Sequence, residues 1–373
     1  MLRSPLTRRK YCLAALATSA FVQADGDEIS GAQRDALDAD ARAFMADCAV
    51  PGLSVAIASH GKFRYRAALG LADIKKKEPV ETFSLFRIAS VSKPVTSAAI
   101  FTLIEQGQLA LDAKVFGPGA VLGTAFGRPP YSPGVDRITI EHLLTHTSGG
   151  WPKGSDDPMF QHPEADHKTL IATVLKDRPL EFVPGTHYAY SNFGFCLLGR
   201  VIERVSGTGY GDFVRQHILE ACGIDGMRLA GNGGKRAKDE VRYYDQERGD
   251  PYNMNLSRLD AAGGWLAMPA DIVRFATRVD GFATDGNILK EETIQVMTAG
   301  SRANPHYAKG WEVNGRGTWW HIGDLPGSSA VVVRSSTGYC GAACMNTRRM
   351  QPDIPVKLDH LVREMIRDIN RAS

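Results

Sequence analysis

The strand-like runs of this chain lie at its two ends, and no other feature constrains the fold as much. Near the start, Leu53–Ala58 and Phe63–Ala68 are short apolar runs joined by Ser59-His60-Gly61-Lys62, a hairpin turn. Strand character returns only late, at Tyr307–Val313, Thr318–His321, Ser329–Val333 and Cys340–Asn346. Between them Ser90–Gln106, Ile140–His146, Leu170–Lys176, Asn192–Val205 and Ala270–Val279 read as helices, several closed by glycine. Unpaired strands would leave backbone groups without partners, so the two ends are expected to meet in one sheet. The fold class that follows is α+β: an antiparallel sheet built from N- and C-terminal segments, flanked by helices, with an inserted mostly helical lobe. Residues 31–48 (Leu37, Ala41, Phe44, Met45, Cys48) and a C-terminal stretch (Ile354, Leu358, Leu361, Val362, Met365, Ile366, Ile369) supply amphipathic flanking helices. Asp353 caps the second, and Pro355 sits in its first turn. Residues 25–373 are read as one domain, with an α/β lobe over 30–88 plus 255–373 and a helical lobe over 89–254.

Residues 1–24 stand apart. Arg3, Arg8, Arg9 and Lys10 precede an apolar stretch from Tyr11 to Val22, and Val22-Gln23-Ala24 offers small residues at cleavage offsets. This reads as an export signal, periplasmic or secreted in destination, and the paired arginines fit either a Sec or a twin-arginine leader. Its four positive charges account for the formal +3 of the chain, leaving −1 after removal. The remaining composition, 43% hydrophobic and 23% charged, excludes disordered, collagenous and coiled-coil classes. No apolar run reaches the roughly 20 residues of a membrane span, and nothing points to nucleic acid. Past the leader, Cys48, Cys196, Cys222, Cys340 and Cys344 are odd in number and spaced unlike a disulfide framework. Cys340 and Cys344, four apart on a strand, would lie roughly 13 Å from each other. They are expected to be buried thiols.

Three clusters could carry chemistry. Ser90-Val91-Ser92-Lys93 is expected to open a helix, which puts serine and lysine on one face beside free backbone N–H groups and the positive end of the dipole. That setting suits a nucleophile whose intermediate bears an oxyanion, and it favours a neutral, basic lysine. Ser59-His60-Gly61-Lys62 has the same spacing without a helix to hold the pair together. Tyr190-Ser191-Asn192 places a phenol that can relay protons two residues from an amide that can orient a carbonyl; the bland alternative is a buried tyrosine with a capping asparagine. His321-Ile322-Gly323 puts His321 and Gly323 on one face of a strand, with glycine permitting close approach. His142 and His146, at i and i+4, have a zinc-compatible spacing but no His-Glu-x-x-His order, and they read as a structural helix end. A Gly-x-Ser-x-Gly elbow is absent.

In this order and setting the three clusters resemble the β-lactamase and penicillin-binding-protein superfamily of serine hydrolases, above all its esterase, D-aminopeptidase and class C-like branch. Leu143-Leu144-Thr145-His146-Thr147-Ser148-Gly149-Gly150, Asn192-Phe193-Gly194-Phe195-Cys196-Leu197-Leu198-Gly199 and Gly263-Gly264-Trp265-Leu266 agree with it. The resemblance implies Ser90 as nucleophile, Lys93 as its proton-accepting partner, Tyr190 as general base and shuttle, and Asn192 as substrate-orienting group. It implies an oxyanion hole from the N–H groups of Ser90 and Asp324, and His321, where many relatives carry lysine, lining the site, holding the Tyr190 side electrostatically and helping to steer the leaving group. No metal or organic cofactor is implied, and the partner is a small ester, amide or peptide substrate.

Ile322 departs from the usual Thr or Ser at the middle of that triplet. Without a hydroxyl, and with histidine mostly neutral near pH 7, recognition of a substrate carboxylate is expected to be weak. The expected activity is therefore a carboxylesterase-type or broad acyl hydrolase. The alternatives are a β-lactamase, a D-Ala-D-Ala carboxypeptidase or D-aminopeptidase, and a non-catalytic envelope protein that keeps the fold for binding.

Overall fold

The computed structural model describes residues 29–247, 249–282, 286–350 and 353–372. The leader expected over residues 1–24 lies outside the described residues.

Helix α1 (Gly31–Cys48) begins with a capping box, in which Ser30 and Gln33 satisfy each other's backbone N–H groups. Strands β1 (Gly52–Ser59) and β2 (Lys62–Asp73) form the expected hairpin, and Ser59 pairs with Lys62 across its turn. The short β3 (Glu78–Pro79) follows. After the helical middle come β4 (Glu312–Val313), β5 (Trp319–Leu325), β6 (Ser328–Arg334) and β7 (Tyr339–Met345). The seven strands form one sheet in the order β3-β2-β1-β7-β6-β5-β4, every pairing antiparallel. The ends of the chain meet where β1 lies beside β7, with Leu53 opposite Met345 and Ser59 opposite Tyr339.

Alternation divides the sheet into two faces. Leu53, Val55, Ile57, Val331, Val333, Ala343 and Met345 point to a layer formed by α1 and the C-terminal helix, α6 (Ile354–Ala372). Ala56, Ala58, Ala330, Val332, Cys340, Ala342 and Cys344 point to the larger core shared with the helical middle. Cys340 and Cys344 are buried and free, as are Cys48, Cys196 and Cys222, and burial raises both strand thiols. No described helix is long and apolar enough to cross a membrane.

The helices between β3 and β4 that bear on the site are α2 (Ser92–Glu105), α3 (Ile140–Leu144), α4 (Asn192–Ser206) and α5 (Pro269–Thr277). Two expectations change. Helix α2 starts at Ser92, two residues later than expected, because Ala89 takes a left-handed φ of 47° and the 3-10 turn Ala89–Val91 leads into it. Strand structure within the expected 307–313 run is confined to Glu312–Val313. Before it, Gly310 turns with φ 86° and Ser97 Oγ donates to the Lys309 carbonyl at 2.5 Å, so this stretch folds onto α2 instead of extending the sheet.

Candidate active site

Ser90 sits on the 3-10 turn at the junction of sheet and helices. The backbone before it is anchored by Phe86–Arg87 pairing with Leu266 and Ala267, and Ile88 N–H donates to the Trp265 carbonyl at 3.1 Å. Lys93, three residues on in the first turn of α2, shares a face with Ser90, and its Nζ lies 3.0 Å from Ser90 Oγ. Lys93 is fully buried, and Pro94 behind it occupies a first-turn position that needs no backbone donor.

The surroundings of Lys93 accommodate a neutral amine. Nζ lies 2.8 Å from Asn192 Oδ1 and 2.7 Å from the Ala262 carbonyl, both acceptors only. The Asn192 amide cannot be reversed, since its Nδ2 donates to Asp157 Oδ2 at 2.7 Å. A neutral amine has two protons for those acceptors, and its lone pair then faces Ser90, whose hydroxyl can donate. Burial holds the Lys93 amine well below the ordinary lysine value, and the Lys153 cation adds to the lowering. Ala262 is held in turn by the short helix Asp260–Gly263, where buried Arg200 binds Asp260 at 2.6 Å.

Tyr190 lies close enough to Ser90 for the serine hydroxyl to act on its phenol. Burial raises its phenol well above the ordinary value, and the Ser90 hydroxyl opposes the rise. Lys93 Nζ lies 4.9 Å from the Tyr190 ring centroid. Asn192 is the first residue of α4, whose cap Ser191 accepts from Gly194 N–H and donates to the Trp151 carbonyl.

On β5, Gly323 runs against the serine turn. A methyl group there would collide with the Ile88 carbonyl and lie 3.0 Å from Ser90 N, so only glycine permits this approach. Asp324, next along, lines the cavity beside Ser90 together with Asn192, Lys153, Arg348, Phe160 and Ala262. Its carboxylate lies 3.3 Å from Lys153 Nζ and 3.7 Å from Arg348.

The structure thus brings Ser90, Lys93, Tyr190, Asn192, Gly323 and Asp324 into one cluster. His321 is adjacent but differently employed. It is 1% exposed and sits behind Tyr190, not in the cavity, with Nε2 3.2 Å from Tyr307 Oη. Burial pushes its imidazole down to about 3, so it is neutral and exerts no electrostatic hold on Tyr190. Ile322 packs on the opposite face, against the α1–α6 layer, so its missing hydroxyl is not what shapes the cavity. Sequence reading also missed Asp157, Lys153, Arg348 and Tyr307, which reach the site from distant loops and strands. The Leu143–Gly150 stretch pointed to one more, His146. It and His142 diverge: His142 Nδ1 accepts from Thr139 N–H at 3.2 Å, whereas His146 faces Tyr307 and Ser191.

Comparison with known proteins places the chain in a family. The Beta-lactamase family model matches residues 37–361. Penicillin-binding protein 4* of Bacillus subtilis is 27% identical over 312 residues, covering 75% of this chain and 64% of that protein. Esterase EstB of Burkholderia gladioli is 34% identical over 191 residues, covering 46% of this chain and 45% of that protein. The matches therefore span less than two thirds of the length of these relatives. Among solved structures, D-amino acid amidase from Ochrobactrum anthropi superposes with a TM-score of 0.74 at 22% identity, covering 92% of this chain and 99% of that one, a likeness of fold. A family match over most of the described chain, the shared fold and the cluster built around Ser90 lead to one conclusion: the chain belongs to the Beta-lactamase family of serine hydrolases.

Proposed function

We propose that this protein hydrolyses uncharged esters through an acyl-enzyme on Ser90. The observation that carries the reading is the 3.0 Å contact between Ser90 Oγ and a buried Lys93 whose other two polar neighbours are obligate acceptors. Neutral Lys93 takes the Ser90 proton, directly or through the Tyr190 hydroxyl, as Oγ attacks the ester carbonyl. The N–H groups of Ser90 and Asp324 hold the oxyanion, and the tetrahedral intermediate expels the alcohol, which takes up the proton by the same route. Water then attacks the acyl-enzyme, giving up its proton to the same base as Ser90 is regenerated. Asn192, oriented by Asp157, aligns the acyl chain.

Selection for neutral substrates is supported by the cations at the cavity. Lys153 and Arg348 already face Asp324, and His321 is uncharged, so among the described residues lining the cavity a substrate carboxylate meets no unengaged positive group. The reading includes export of the enzyme through its arginine-bearing leader, supported by the charge pattern of residues 1–24.

A fluorophosphonate probe and p-nitrophenyl esters test the assignment. Ser90→Ala should abolish both labelling and turnover while leaving the circular dichroism spectrum unchanged. Turnover or labelling that survives this substitution would exclude Ser90 as the nucleophile, and a parent protein that neither labels nor turns over ester would favour a binding-only role.

A further inference from the structure

Tyr190 is held from behind by a residue outside the reacting cluster. His146 follows α3 in the left-handed region, with φ 57°. Its carbonyl accepts Ala189 N–H at 2.8 Å, and its Nδ1 accepts Ser191 N–H at 3.1 Å. One residue therefore binds the backbone N–H groups of both sequence neighbours of Tyr190. Its imidazole also lies against the phenol, with ring centroids 4.1 Å apart and planes tilted by 36°.

The second ring nitrogen begins a chain. His146 Nε2 is 3.0 Å from Tyr307 Oη, Tyr307 Oη is 3.2 Å from His321 Nε2, and His321 Nδ1 is 2.8 Å from the Ile322 carbonyl. The direction of every bond follows from its two ends. Ser191 N–H can only donate, so His146 Nδ1 is bare and the ring's proton sits on Nε2, donating to Tyr307. The single Tyr307 proton is then left to donate to His321 Nε2. His321 carries its own proton on Nδ1, and this donates to the Ile322 carbonyl, which can only accept. Protonating His146 would set an Nδ1–H against the Ser191 N–H. All three side chains are 1% exposed, so none finds water as a substitute partner.

We propose that His146 is the positioning residue of Tyr190, and that His146 and His321 hold opposite tautomers on either side of Tyr307. The chain ends on the peptide carbonyl next to Gly323, so it ties the tyrosine to the strand that carries the oxyanion hole. The kinetic half of this proposal rests on the proposed role of Tyr190 in proton transfer; the tautomeric half does not.

Nitrogen-15 NMR of the full chain, with imidazoles assigned by His146→Asn and Tyr307→Phe, tests the tautomeric half. The expected result is Nε2–H for His146 and Nδ1–H for His321, both neutral from pH 6 to 8. The same tautomer in both rings, or a charged ring in that range, would overturn it. The positioning half is read from ester kinetics. His146→Ala should lower kcat by about 100-fold, the loss associated with roughly 1 Å of misplacement, with KM little changed. His146→Asn, which keeps an acceptor near the Nδ1 position, should recover much of it, and His146→Gln, with its polar end near Nε2, should recover less. Equal losses in all three variants, or losses carried by KM, would reduce His146 to packing and overturn the positioning role. If Tyr190→Phe leaves turnover intact while the two tautomers are opposed, the fault lies with the proposed role of Tyr190, and the hydrogen-bond chain stands.

Discussion

Asp324 is proposed to carry two functions on one residue. Its backbone N–H is proposed to face the oxyanion, while its carboxylate stands between Lys153 and Arg348, in the seat that an anionic substrate would need. Asp324→Asn keeps the backbone group and removes the internal anion. The expected outcome is a several-fold rise in kcat/KM for nitrocefin and D-Ala-D-Ala peptides relative to p-nitrophenyl acetate. The rise is limited because the Lys153 side chain is 47% exposed and therefore screened. An unchanged ratio would mean that this carboxylate does not set the preference. At this scale, legibility followed sequence distance. Ser90 and Lys93 share a turn, and Tyr190 and Asn192 share a helix start, so spacing exposed them. Asp157 and Tyr307 act through partners 35 and 161 positions away, and no local pattern marks such residues.

Elements were legible where one periodicity governed them. The C-terminal helix declared itself through Ile354, Leu358, Val362, Met365 and Ile369, and all five are buried against the sheet. Its predicted cap also forms: Asp353 accepts Val356 N–H at 3.2 Å. Leu358→Ala should cost about 2–5 kcal/mol by leaving a cavity in this layer. Because α6 covers the face away from Ser90, the folded fraction should keep its kcat. Thermal melts and active-site-titrated kinetics check both halves, and a loss of kcat per labelled site would show that the layer shapes the cavity. Periodicity failed where backbone conformation overrode it. The apolar pattern continues through Ser90, but left-handed Ala89 sets a 3-10 turn there, and Gly310 turns a strand-like run onto α2.

The whole molecule carries a pH dependence through Glu312, which lies on β4 at the edge of the sheet. Burial pushes its carboxyl from 4.5 up to about 7; Asp359 adds to the rise, while Trp320 and Arg363 oppose it. The folded protein thus holds this proton more tightly than the unfolded chain. The stability it contributes is full below pH 4.5 and is lost as pH rises through about 7. Glu312→Gln should flatten that part of the Tm–pH curve, and an equal decline in the variant would assign it to other groups. The same sheet has a consequence in the order of synthesis. Ser328 Oγ donates to the Arg87 carbonyl across 241 positions, tying β6 to the turn that presents the nucleophile. A ribosome adding roughly 5–20 residues per second needs on the order of ten to fifty seconds to travel from one to the other. Throughout that interval the nascent chain has its serine and lysine but no strand to close over them, so the proposed site can be assembled only after the sheet's last strands have been made.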